Sequence, residues 1–270
     1  MKTAQELHKL ANRLRQDVLQ MVFTAGAGHV AGPLSSADLF AVLYFDEVLD
    51  LKKDKVVLSC GHYCPILYAV LARSGKLSVD ELKNFMQTGS RLPGHPERGL
   101  TPGVEVSAGP LGQGVSVATG MALGMKLRNG RAYSYNSPRV YCVLSDGELQ
   151  EGQVWEAFNF AVASKLDNLI YILDRNGIQI EHYVKDLVKS DETSRLEAFG
   201  LHVLECEGNN ISNLKNCLEN AKQVQGLPTM IVMNTVGSKG VSFMENKPIW
   251  HDKVPNSEEL NLALKELNAE

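Results

Sequence analysis

Two oxygen-bearing side chains stand where a hard cation could be held. Asp146 follows an apolar run (RVYCVLS) within the segment Ser145-Asp146-Gly147-Glu148-Leu149-Gln150-Glu151-Gly152, which ends one strand and opens a helix, while Asn176 lies just past a second apolar run ending at Asp174. Mg2+ takes about six oxygens at roughly 2.1 Å, drawn from carboxylate, amide or backbone carbonyl, water and ligand phosphate. Asp146 and Asn176 supply the first two. Gly147 would let the main chain approach a diphosphate closely, and the N–H groups opening the next helix carry partial positive charge, about 0.3–1 kcal/mol per anion contact. Together they read as a metal and diphosphate site; taken singly, each residue is also what an ordinary helix cap or turn uses.

Histidines supply the second chemistry. His29, His62, His95 and His251 each stand in a Gly- or Pro-rich turn rather than inside an element, where functional residues concentrate. Imidazoles there suit anion contact and proton transfer near neutral pH. His8, His182 and His202 are expected to be ordinary surface or packing residues. Cys60-Gly61-His62-Tyr63-Cys64 has the look of a zinc knuckle, but no second ligand cluster at suitable spacing accompanies it. The strand ending at Ser145 is not followed by G-x-G-x-x-G, which argues against a nicotinamide dinucleotide.

The elements that position these residues follow from periodicity. Leu7, Leu10, Ala11, Leu14, Val18, Met21 and Val22 trace one face of a helix that ends at the glycine-rich turn 26–32. A second helix is predicted from Ser35-Ser36 to about Glu47, a buried strand over 55–59, and helices over 65–73 and 78–87. Residues 89–109, rich in Pro and Gly, read as a long ordered loop leading into a helix over 112–127. Thereafter strands over 139–146, 168–174, 202–207 and 228–236 alternate with helices over 151–165 and 211–224. This predicts one α/β domain over 1–270: a mainly parallel sheet of about five strands with helices on both faces, and a C-terminal tail over 237–270. In such sheets ligands sit beyond the carboxyl ends of the strands, where His62, Asp146 and Asn176 all fall.

Composition narrows the function. Of 270 residues, 27 are Lys or Arg and 31 Asp or Glu, a net charge of −4 with no basic block, so nucleic acid is not an expected partner. Charges at Lys2, Glu6, Lys9, Arg13, Arg15 and Asp17 interrupt any signal-peptide core, and no apolar run nears the ~18 residues of a membrane span. Five cysteines, scattered through apolar or helical contexts, suit a reducing compartment. A cytoplasmic protein without membrane contact is expected.

The segment SDGELQEGQVWEAFNFAVASKLDNLIYILDRNGIQI resembles the thiamine diphosphate motif of the transketolase family. GAGHVAGPLSSADL resembles the family's first histidine segment, VVLSCGHYCPILYAVL its second, and SRLPGHPERGLTPGVEVSAGPLGQGVSVATGMALG a long block preceding the motif; with WHDKVP, similar segments span about Leu10 to Pro255. The resemblance implies that Asp146, Asn176 and the backbone carbonyl of Ile178 hold Mg2+, or another divalent cation such as Ca2+ or Mn2+, and that Gly147 touches the diphosphate of thiamine diphosphate. It implies that His62 and His251 reach diphosphate oxygens, that Gly109, Pro110 and Leu111 line the cofactor's rings, and that His29, His95 and His251 face the substrate. Glu151 would lie at a subunit interface beside the cofactor.

The sequence departs from the family pattern at Ser145, where glycine is usual before the metal-binding aspartate, at Val30-Ala31 in place of Pro-Gly, and at Asp252 in place of glycine. In the family, the glutamate that activates the cofactor belongs to a separate pyrimidine-binding domain, and this chain stops before one could fit. The resemblance therefore implies the N-terminal subunit of a split transketolase, inactive alone, that moves a two-carbon ketol unit from a ketose phosphate to an aldose phosphate. Its partner would be a C-terminal subunit carrying the pyrimidine-binding domain, in a heterotetramer, a dimer of this chain alone being the other arrangement. A 1-deoxyxylulose-phosphate synthase-like or sugar-catabolic ketolase subunit, or a non-catalytic cofactor-binding subunit, is the alternative.

Overall fold

In a computed structural model, which describes residues 2–129, 135, 137–189 and 191–269, the chain opens with helices α1 (Ala4–Ala25), α2 (Ala31–Ser35) and α3 (Ala37–Phe45). Strand β1 (Lys55–Leu58) and helices α4 (Cys64–Arg73) and α5 (Gln113–Arg128) follow, then β2 (Val140–Ser145), α6 (Gly152–Ala163) and β3 (Leu169–Arg175). A short hairpin, β4 (Ile178–Gln179) and β5 (His182–Tyr183), leads to α7 (Val184–Leu187) and α8 (Glu192–Ala198). The chain closes with β6 (His202–Glu207), α9 (Ile211–Ala221), β7 (Thr229–Asn234) and α10 (Ser257–Ala269).

Five strands form a wholly parallel sheet in the order β1-β2-β3-β7-β6, the α/β architecture the alternation predicts. Successive side chains point to opposite faces. Tyr141, Val143, Ile170, Ile172 and Ile231 therefore join one core with residues of α1, α3, α4, α9 and α10. Val140, Cys142, Leu144, Tyr171 and Leu173 join another beneath α5 and α6. The register sets Ser145 beside Asp174 and Arg175 beside Asn234, so the carboxyl ends of the central strands finish level.

The first helix forms where its periodicity predicts. Thr3 and Glu6 close a capping box, and Gly26 in the left-handed region (φ 67°) ends the helix. Buried Arg15 fastens it to the next two helices through Asp38 (2.5 Å) and the Leu34 carbonyl (3.1 Å).

The helix expected from Ser35-Ser36 to about Glu47 forms as α3, with Ser36 at its N-cap. The end of the turn read over 26–32 instead folds as α2, and the Ser36 hydroxyl donates back to the Gly32 carbonyl (2.8 Å) between the two. One predicted helix differs. The one expected over 78–87 is a 3-10 turn, Val79–Asn84, with Phe85 leaving it in an extended conformation to bury its ring. The segment read as a tail contains a 3-10 turn, Pro248–Trp250, and α10, whose Ala263 and Leu267 are buried and whose Asn268 accepts from Gln16 of α1 (3.0 Å). Among the described residues, no helix is long and apolar enough to cross a membrane.

Candidate functional site

The turns after β1, β2 and β3 meet at one edge. After β1 the chain enters a 3-10 turn, Gly61–Tyr63, that presents His62. Gly61 is required there: a Cβ would come within 2.8 Å of the Ala108 backbone and 2.9 Å of Gly109 N. That contact draws the end of the long loop, with half-buried Gly109 and Leu111 and exposed Pro110, onto the β1 end. Leu111 is tied down by Gln153, which donates to its carbonyl (3.1 Å).

Three imidazoles gather over this edge. Ring centroids lie 5.0 Å apart for His29 and His62, 5.2 Å for His29 and His251, and 5.5 Å for His62 and His251. The His251 carbonyl accepts from Val30 N–H (3.0 Å), tying the C-terminal segment to the first glycine-rich turn. His95 packs against Gly109 and adds its field to His29 and His62. His8, on α1 beside Asn12 and Asp38, His182 in β5 and His202 in β6 lie outside the group.

Burial sets the protonation of these rings. It holds His62 well below the ordinary histidine range, with His29, His251 and His95 adding to the effect. His29 is lowered to about 4 by burial and His251, with exposed Asp252 pulling the other way. His251 is lowered by burial, again against Asp252. At neutral pH the rings are uncharged, each with one donor and one acceptor nitrogen. Because these folded-state values lie below the unfolded value near 6.5, the stability they contribute is present above that pH and is lost as pH falls toward 4. We expect His29→Gln to remove about 2 kcal/mol of this acid-side loss, allowing for partial exposure, when urea unfolding is compared with wild type between pH 7 and 4. Parallel curves for the two proteins would contradict it.

Tyr63 links the imidazoles to the candidate metal position: its ring lies 4.7 Å from that of His62, and its hydroxyl meets Asn176. The buried Asp146 carboxylate accepts from Gly177 N–H through Oδ2 (2.6 Å), and its Oδ1 has no partner. Burial raises it well above the carboxylate range, with Glu192 and Asp174 adding to the effect. A buried carboxylate left in this state calls for a positive charge. Asn176 is oriented to complement it. Its Nδ2 donates to Asp174 (2.9 Å) and to the Tyr63 hydroxyl (3.0 Å), so Oδ1 is the acceptor end, taking one hydrogen bond from Ile178 N–H (2.9 Å) and keeping a second lone pair. The residues therefore fit a small hard cation completed by a ligand's oxygens; among the described residues no group of three His, Cys, Asp or Glu would hold a metal unaided.

Gly147 sits in the 3-10 turn Asp146–Gln150, and a Cβ there would meet only Gln179, at 3.4 Å. Glu151 is exposed, at the N-cap of α6. The Cys60 and Cys64 thiols are buried against the carbonyls of Val143 and Gly94, and burial raises both.

Two residues escaped the sequence reading. Asp174 accepts from Ser35 (2.6 Å), Tyr63 (2.8 Å), Asn176 (2.9 Å) and Thr235 (2.5 Å), holding four segments around the amide of Asn176. Glu148, wholly buried and raised to about 7 by burial against three donors, bonds the end of β1 to the start of α5. The only local signal for Asp174 is a carboxylate ending an apolar strand.

The sequence model for the family described as transketolase, thiamine diphosphate binding domain, matches residues 7–267. The chain belongs to this family. It is 37% identical over 274 residues to one chain of the apulose-4-phosphate transketolase of Actinobacillus succinogenes, covering 98% of this chain and 97% of that protein. It is 35% identical over 274 residues to the 6-deoxy-6-sulfo-D-fructose transketolase subunit SqwG of a Clostridium species, with the same coverage. The transketolase structure from Campylobacter jejuni superimposes with a TM-score of 0.90 at 35% identity, covering 99% of this chain and 43% of that one. This transketolase-family chain thus spans less than half of a full-length transketolase and nearly all of a transketolase subunit.

Proposed function

We propose that this chain is the thiamine diphosphate-binding subunit of a two-chain transketolase, working with a separate C-terminal subunit that supplies the pyrimidine-binding domain. The observation that carries the reading is the open oxygen of buried Asp146, bonded to the residue that follows an oriented Asn176, at the sheet edge where three histidines gather. Its near full-length likeness to transketolase subunits supports the two-chain arrangement.

When bound, thiamine diphosphate supplies a carbon nucleophile that also serves as an electron sink for cleaving and forming a carbon–carbon bond next to a carbonyl. Asp146, Asn176 and the Ile178 carbonyl would hold Mg2+ against the diphosphate. Gly147 N–H and His62 would bind diphosphate oxygens, with His251 reaching the same group. Gly109, Pro110 and Leu111 would line the rings. His29 and His251, kept neutral by burial, would together with His95 bind the hydroxyls of a ketose phosphate donor and an aldose phosphate acceptor and move protons during ketol transfer. The five free cysteines suit a reducing cytoplasm.

We further infer two copies of each chain. The outer stripe of α5 carries Val117 (43% exposed), Gly120, Gly124 and Leu127 (69% exposed), with Phe160 (50% exposed) on neighbouring α6. A helix apolar all round is normally covered, and Gly120 and Gly124 leave room for a second helix. Glu151, exposed at the start of α6, would border that contact.

The test is a ketol-transfer assay on the purified chain, on its partner and on the two together, with Mg2+ and thiamine diphosphate. We expect transfer only from the mixture, at a mass of two plus two chains. Transfer by this chain alone would overturn the two-subunit reading. A complex that holds cofactor without transferring a ketol unit would point instead to a cofactor-binding role.

A further inference from the structure

Glu148 is buried without exposure, and each of its carboxylate oxygens is engaged. Oε1 accepts from the Ser59 hydroxyl (2.6 Å) and from Gly112 N–H (2.8 Å); Oε2 accepts from Ser145 N–H (3.1 Å). Ser59 passes the connection on, accepting from Val115 N–H in the first turn of α5 (3.1 Å). All the donors point at one acid, so the ionised carboxylate matches the arrangement. Three separate turns, those ending β1, opening α5 and ending β2, are joined through this one side chain.

Close contacts pack the junction tightly. A Cβ on Gly114 would fall 2.5 Å from the Ser59 Cα, so α5 starts in direct contact with the β1 end. Gly112 takes φ 82°, and a Cβ there would meet Gln153 and Val154 of α6 at 3.0 Å. The loop 109–111 immediately precedes this pinned glycine. Its height over the turn Asp146–Gly147 is thus set by a carboxylate that belongs to that same turn.

We propose that Glu148 is a positioning residue that, through Ser59 and the Gly112 N–H, holds the loop Gly109–Leu111 in register with the diphosphate turn Asp146–Gly147. The proposal rests on the reading that the two segments grip opposite ends of thiamine diphosphate. Glu148 touches neither cofactor nor substrate in this scheme; it fixes the span between the two grips.

Hydrogen–deuterium exchange of the full chain tests the mechanical half, with wild type compared to Glu148→Gln, Glu148→Ala and Ser59→Ala. Titration of thiamine diphosphate with Mg2+ into the same proteins, in complex with the partner subunit, tests the functional half. In Glu148→Ala the amides of 109–115 should exchange at least about tenfold faster while those of β3 and β7 keep their wild-type rates, and the cofactor dissociation constant should rise about tenfold. Glu148→Gln should recover part of both effects, because its carbonyl still accepts from Ser59 and Gly112. Ser59→Ala leaves the carboxylate in place and carries the same comparison should Glu148→Ala not fold. Uniformly faster exchange across the sheet would reduce Glu148 to a structural residue and overturn the proposal, as would unchanged exchange at 109–115 or unchanged affinity. A wild-type complex that takes up no cofactor, with the local exchange contrast intact, would overturn the cofactor reading instead.

Discussion

Asp146→Asn should make the cofactor-free chain more stable and abolish its response to Mg2+ and thiamine diphosphate. In the folded chain the carboxylate is buried, accepts a single hydrogen bond and leaves Oδ1 without a partner. Burial, then Glu192 and Asp174, raise its pKa far above the unfolded value. A carboxyl so shifted costs the fold stability once pH rises above its unfolded value, whether it stays buried as the ion or takes up a proton, so at pH 7 Asp146 is a liability. An amide of the same shape still accepts from Gly177 and turns an N–H toward the neighbouring acids. The gain should be about 1–3 kcal/mol by thermal unfolding at neutral pH. Wild type should in turn be stabilised by about 2.7 kcal/mol at a cofactor concentration a hundredfold above its dissociation constant, and the variant should gain nothing. A variant less stable than wild type without cofactor, or still stabilised with it, would count against Asp146 as the metal carboxylate.

Asp174→Ala should act in the opposite sense. This equally buried carboxylate satisfies the hydroxyls of Ser35, Tyr63 and Thr235 and the amide of Asn176. Its pKa is raised by burial, and those same donors pull it back. Removing it takes the shared acceptor from four segments and leaves the Tyr63 and Thr235 hydroxyls without one, and unfolding in urea should show a loss of about 3–5 kcal/mol. Asn176 would also lose one of the partners that orient its amide, so Mg2+ affinity should fall even at temperatures where the variant is fully folded. A stable variant with normal Mg2+ affinity would remove Asp174 from the machinery of the site.

Much of this is legible in the sequence alone. Buried parallel strands advertise themselves as apolar runs, and the turns after them are where such sheets bind ligands. Asp146, Asn176 and His62 could therefore be assigned to one edge from order alone. The grouping of His29, His62 and His251 within 5.5 Å of one another could not, because it depends on the segment after β7 folding back so that His251 meets Val30. Glu148 was passed over for a similar reason: its partners Ser59 and Gly112 lie 89 and 36 residues away, and no local pattern links them.

The two aspartates mark the boundary most sharply. Each ends or follows an apolar strand, and in the sequence they are interchangeable in kind. Strand order puts them side by side, with Ser145 registered against Asp174, yet one is closed off by four donors and the other keeps an open oxygen. Local spacing determines that a carboxylate will stand at a buried strand end. Whether it is neutralised by hydroxyls or left to attract a cation depends on which distant segments fold over it, a long-range choice that periodicity does not encode.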